Sequence, residues 1–183
     1  MSPDDPADPH DPLAGSLSHG EPLAVVWQAT PALAEGLELA DLNRRATALL
    51  GLLGGLDEPA PLPEDDPQLA AHLQRLDHKL DLLLGLVGQW LTRELTVPAP
   101  QPVRLGVRGV LWQAALPPGP GRVSLYLRPT LPVALQLPAL LSALPHGQVL
   151  AEFQGLDPQL ADALERYIFR QHRRAVAQAR RPA

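Results

Sequence analysis

Residues 87–107 read VGQWLTRELTVPAPQPVRLGV, and within them the period of the apolar side chains changes. Before Pro98 they recur at helical spacing; after Pro102, Val103, Leu105 and Val107 alternate with Arg104 and Gly106. Pro98, Pro100 and Pro102 separate the two regimes, because each lacks the amide donor of a helix interior and biases the preceding residue toward extended backbone. The chain is helical on one side of this stretch and β-structured on the other, which predicts an α+β fold.

On the helical side, residues 67–96 carry an unbroken heptad seam, with Leu73, Leu80 and Val87 at a and Leu69, Leu76, Leu83 and Trp90 at d. A seam of this kind buries itself against other helices. The flanking positions hold His72, Asp77 and Lys79 at first, then Leu84, Leu86 and Leu91, an apolar surface wider than one partner helix can cover. A bundle of three or more helices fits better than a two-stranded coil, with an amphipathic helix lying on its own domain as the plainer alternative.

The linker 57–67, with Pro59, Pro61 and Pro63, breaks the chain ahead of that helix. Residues 31–56 repeat the pattern: Leu39, Leu42, Ala46, Leu49, Leu53 and Leu56 alternate spacings of three and four, with Thr30 as N-cap and Pro31 in the first turn. Leu39, Leu42, Leu49 and Leu53 thus join the seven residues of the longer seam as self-association candidates, whether the helices pair as a hairpin in one chain or meet from several. Residues 22–30 contain Val25, Val26 and Trp27, a short strand expected to join a later sheet. Residues 1–21, rich in Asp, Pro, Ser and Gly, are expected to be disordered.

On the other side, residues 103–156 read as five short strands: Val103 to Val107, Val110 to Ala114, Val123 to Leu127, Val133 to Leu137 and Val149 to Phe153. Turn residues lie between them, and strands so closely spaced suggest a small antiparallel barrel. Residues 157–181 form a last helix with an apolar face at Leu160, Leu164, Tyr167 and Ile168 and a basic character at Arg166, Arg170, Arg173 and Arg174. Those arginines are candidate contacts for anions or for an acidic partner; a solvated helix end explains them equally.

Composition narrows the function. With no cysteine, disulfide scaffolds, cysteine-based zinc sites and thiol catalysis are out. Residues 1–66 hold 13 acidic and 2 basic side chains, residues 67–183 hold 7 and 13, a distribution that argues against nucleic-acid binding. The first residues lack the basic and apolar regions of a secretory signal, and 131–145 is too short and too interrupted to span a bilayer, so a cytoplasmic protein without membrane insertion is expected. Asp77, His78 and Asp81 have metal-ligand chemistry but read as a solvated helix face, and no metal or other cofactor is expected. No glycine-rich phosphate loop, nucleophile elbow or zinc-helix motif is present, so no enzyme is expected.

A small barrel followed by the helix ALERYIFRQHRR, residues 163–174, resembles the C-terminal part of PilZ domains. The heptad helices ahead of it resemble those of the atypical, tetrameric PilZ subgroup. The resemblance implies a small antiparallel barrel with a C-terminal helix, plus two long helices forming an oligomeric bundle, with a homotetramer favoured. It also implies a non-enzymatic place in bacterial cyclic di-GMP signalling, with motility, type IV pili, biofilm or virulence as outputs. Members typically bind cyclic di-GMP through an Arg-x-x-x-Arg motif before the first barrel strand and an Asp/Asn-x-Ser-x-x-Gly motif after it. Aligning Gly109 with the last glycine puts Arg104 at the Asp/Asn position and Gly106 at the Ser position. Upstream, Arg93 is followed four residues later by Val97 rather than Arg.

The usual site is therefore expected to be absent, and the chain to act as an adaptor toward type IV pilus or cyclic di-GMP signalling proteins. Two alternatives stand beside this: a cyclic di-GMP sensor with another pocket built from Arg104, Arg108 and the Arg-rich helix, and a coiled-coil scaffold unrelated to PilZ.

Overall fold

The computed structural model describes residue 13 and residues 18–57, 67–94 and 97–179, with the side chains of 57, 67, 91–94 and 178–179 left aside. Its strands are β1 (Ser18–Ala29), β2 (Gln101–Gly106), β3 (Gly109–Gln113), β4 (Gly119–Tyr126), β5 (Leu135–Ala143) and β6 (Gln148–Phe153). Its helices are α1 (Gly36–Asp57), α2 (Pro67–Glu94) and α3 (Pro158–Ala179). The strands close into an antiparallel barrel in the order β1-β2-β3-β6-β5-β4. A closed barrel of this kind overturns the unrelated-scaffold alternative, which needed residues 103–183 to lack a β-rich unit.

Closure depends on β1. Its first half pairs with β2, from Ser18 opposite Gly106 to Leu23 opposite Gln101, and its second half with β4, from Ala24 opposite Tyr126 to Ala29 opposite Gly121. Twelve residues are needed because one strand serves two neighbours. This corrects the expected disorder of residues 1–21 at its far end: Ser18 to Glu21 have backbone partners on β2, and Leu13 is 2 % exposed. Thr30 does not cap a helix. Its amide donates to the Pro120 carbonyl, continuing the β1–β4 pairing, and α1 begins only at Gly36.

β5 also differs from expectation, continuing through Pro138 to Ala143. The proline is tolerated because it sits just before β5 starts to pair with β6 at Ala139 opposite Phe153. The Pro138 carbonyl accepts from the Gln154 amide at 2.9 Å. The end of the expected second helix, 95–96, and of the last one, 180–181, lie outside the described residues.

The barrel interior and two of the helices share one core. Leu105, Val110, Val123, Leu125, Leu135, Leu137 and Leu141 fill the barrel, continuous with Leu50 and Leu53 of α1 and with Leu160, Leu164, Tyr167 and Ile168 of α3. Each such side chain contributes about 1.5–3 kcal/mol by leaving water. α3 starts on Asp157, whose Oδ1 accepts from the Leu160 amide at 2.8 Å, with Pro158 in the first turn. α1 packs on α3 and β5. α2 stands apart, meeting the barrel where Gly88 comes so near the Thr130 carbonyl that a Cβ would lie 2.2 Å from its oxygen.

Candidate functional site

The two heptad helices have separate fates. On α1, Leu42, Leu49 and Leu53 are buried within the chain's own core, and Leu39 packs on Gly155, where a Cβ would come within 2.8 Å of its Cδ2. Leu42, Leu49 and Leu53 are thereby taken up inside their own chain, which corrects their expected place in a self-association seam, while Leu39 is half-buried. The reason is the barrel mouth, whose apolar rim needs a cover and takes α1 for it. The buried Asn43 locks this arrangement, its Nδ2 donating to the Gly155 carbonyl at 3.0 Å.

On α2, Leu69, Leu73, Leu76, Leu80, Leu83, Val87 and Trp90 are all exposed within the single chain, Trp90 at 62 %. Leu82 and Leu86, exposed as well, widen the strip. Apolar surface this continuous is uncommon on a solvent-facing helix. Asp77, His78 and Asp81 lie on the exposed part of the same helix.

Arg104, Gly106 and Gly109 fall at the β2–β3 corner. Arg104 lies on the outer face of β2, and its Nε donates to the Ser18 Oγ at 3.1 Å. A guanidinium has no acceptor, so it cannot receive the hydrogen bonds that Asp or Asn would accept at that position. Gly106 is buried, and a Cβ there would come within 3.3 Å of the Leu13 Cδ2. Gly109 is pressed against β6, where a Cβ would lie 2.6 Å from the Ala151 carbonyl oxygen. Its glycine therefore has a packing reason of its own. Arg108, in the turn between the strands, is exposed, and its carbonyl accepts from the Phe153 amide at 2.9 Å.

The arginines of α3 point in more than one direction. Arg166 pairs with Asp162 at 2.5 Å, both about 60 % exposed. Arg166 and Arg170 line a cleft of about 320 Å³ against Thr47, Gly51 and Gly54 of α1. There the Arg170 guanidinium lies against Gly54, and its buried Nε has no hydrogen-bond partner among the described residues. Arg173 sits over the Phe169 ring, 5.8 Å from its centroid. Arg174 is half-buried. Arg104 is tied to Ser18 while Arg166 and Arg170 face α1, so the structure does not gather them into one pocket.

Three contributors escaped the reading of the sequence. His19 on β1 is held below its ordinary value by burial and, secondly, by the charge of His172 on α3. Glu21 on the same strand is pushed up by burial, and its Oε1 is buried without a hydrogen-bond partner among the described residues. Leu13 is the third. For Leu13 a signal existed: Val110-Leu111-Trp112 and Val149-Leu150-Ala151 are apolar without interruption, so their outward residues need a cover.

Comparison with known proteins places these features. The profile of a family described as "Atypical PilZ domain, cyclic di-GMP receptor" matches residues 49–181. A solved structure, that of a pathogenic protein from Xanthomonas campestris described as a tetrameric PilZ domain self-assembled via an unusual helical bundle, superposes with a TM-score of 0.70 at 32 % identity. The match covers 89 % of this chain and 92 % of that one. No curated protein matches. Among the described residues, no helix is long and apolar enough to cross a membrane.

Proposed function

The chain belongs to the atypical PilZ family of cyclic di-GMP receptors, and on that premise we propose that it is a non-enzymatic adaptor that assembles through α2 and presents its barrel to protein partners. The observation that carries this reading is the exposed seam of α2, an apolar strip that stays exposed among the described residues. The helical bundle of the Xanthomonas campestris protein supports four copies as the stoichiometry. Arg104 and Gly106 at the acceptor positions of the nucleotide motif, with Leu13 packed on Gly106, support loss of the usual cyclic di-GMP site. The partners proposed are cytoplasmic: a type IV pilus assembly component or an EAL-type signalling protein, with motility or virulence as output.

The α1–α3 cleft supports a second reading. There the Arg170 Nε lacks an acceptor among the described residues and Arg166 lies alongside, a donor set able to take a phosphate. In that reading the chain still senses cyclic di-GMP, through α3 rather than through the strand motif. Calorimetric titration with cyclic di-GMP separates the two. The adaptor reading expects no binding below about 1 mM, equivalent to about −4 kcal/mol. Micromolar binding lost in Arg166→Ala/Arg170→Ala establishes the second reading, and micromolar binding lost in Arg104→Ala/Arg108→Ala restores a strand-based site.

A further inference from the structure

Barrel strands that face water alternate apolar and polar residues, and β3 and β6 break that rule side by side. Across the outer face the register sets Gly20, Arg104, Leu111, Leu150 and Ser142 in one row, so two leucines stand next to each other where solvent-facing residues belong. They are nevertheless only 9 % and 5 % exposed. What covers them is Leu13, itself 2 % exposed, with Leu144 packed at the side. Gly106 completes the notch. A Cβ at this position would already lie 3.3 Å from the Leu13 Cδ2, tighter than ordinary van der Waals contact.

We propose that the outer face of β2, β3 and β6 is a docking notch for an acidic segment anchored by a single leucine, occupied in the resting protein by Leu13 of the same chain. Charge complementarity selects the chemistry of the ligand. Asp4, Asp5, Asp8 and Asp11 precede Leu13 with no lysine or arginine among them. Arg104 stands beside Leu111 in the row, and Arg108 is exposed in the adjoining turn. A partner that carries an acidic, leucine-anchored segment competes with this resident for the notch. The inference does not depend on assembly through α2, which removal of residues 1–17 leaves in place.

The test uses a fluorescent peptide of residues 4–16 and a chain that starts at Ser18, with anisotropy as the readout and thermal melting to show that the shortened chain is folded. The shortened chain is expected to bind the peptide, to lose it when the peptide carries Leu13→Asp, and to bind more weakly as salt is raised or in Arg104→Ala/Arg108→Ala. The wild-type chain should bind at least about tenfold more weakly, because a short tether holds its own leucine at an effective concentration of order mM. If the shortened chain does not fold, full-length Leu13→Asp takes its place in the same comparison. Equal binding by wild-type and opened chains overturns the proposal, as does equal binding of the two peptides. An opened chain that stays folded but ignores the peptide, whether monomeric or covering its notch with a second copy, overturns it too.

Discussion

Glu21 shares a strand face with Leu23 and Val25 and holds a buried oxygen that no donor among the described residues reaches. Burial raises its pKa, so the folded state binds its proton more tightly than the unfolded chain does. Its contribution favours folding below the ordinary 4.5 and is lost as the pH rises through the raised value. His19 has the opposite sign. Lowered by burial and by His172, it contributes fully above 6.5 and loses that contribution as the pH falls toward its depressed value. Glu21→Gln removes the ionised form and should raise the melting temperature at pH 7, with the gain shrinking as the pH approaches 4.5. A scan showing the same difference at both pH values would mean the carboxylate finds a partner in solution. None of this was legible in the sequence, since His19 and His172 meet only after β1 and α3 are docked.

At the level of elements, α1 and α2 share one apolar period, and among the described residues only that of α1 is buried. The period announced two helices and a barrel, and those were legible because helical and strand repeats differ so plainly around Pro98. It did not say which helix lies on the barrel. Spacing records that a face is apolar, and the choice between an intramolecular and an intermolecular cover depends on the non-local shape of the barrel mouth. The contrast is open to measurement. Leu50, at 1 % exposure, sits where truncation leaves a cavity, so Leu50→Ala should cost about 2–5 kcal/mol in denaturant unfolding. Leu76→Asp/Leu83→Asp should leave the barrel's circular dichroism and melting intact while light scattering shows a smaller assembly, since both side chains are exposed in the single chain. An unchanged mass after that double substitution would remove α2 as the assembling element.

For the molecule as a whole, the departures from the family's nucleotide motif at Arg104 and Gly106 were legible, whereas what packs on Gly106 was not: Leu13 is reached from Leu111 and Leu150 only through the barrel's register. The closing strand has kinetic weight. β1 cannot pair until β2 and β4 exist, so its contacts span about half of the sequence and carry a large loop-closure cost, whereas β4 and β5 are sequence neighbours. In stopped-flow refolding, Val25→Ala is expected to give a φ-value near 0 and Val123→Ala a clearly higher one. Reversed values would make β1 part of the nucleus.

The same topology bears on synthesis. A ribosome releases β1 first and the two strands that satisfy it much later, so Val25, Val26 and Trp27 emerge as a naked edge while α1 and α2 are still being made. Such an edge invites pairing between nascent chains. Asp4, Asp5, Asp8 and Asp11, with the prolines among them, leave the ribosome ahead of it, and charge and proline beside an unpaired strand are what keep neighbouring polypeptides from adding to it.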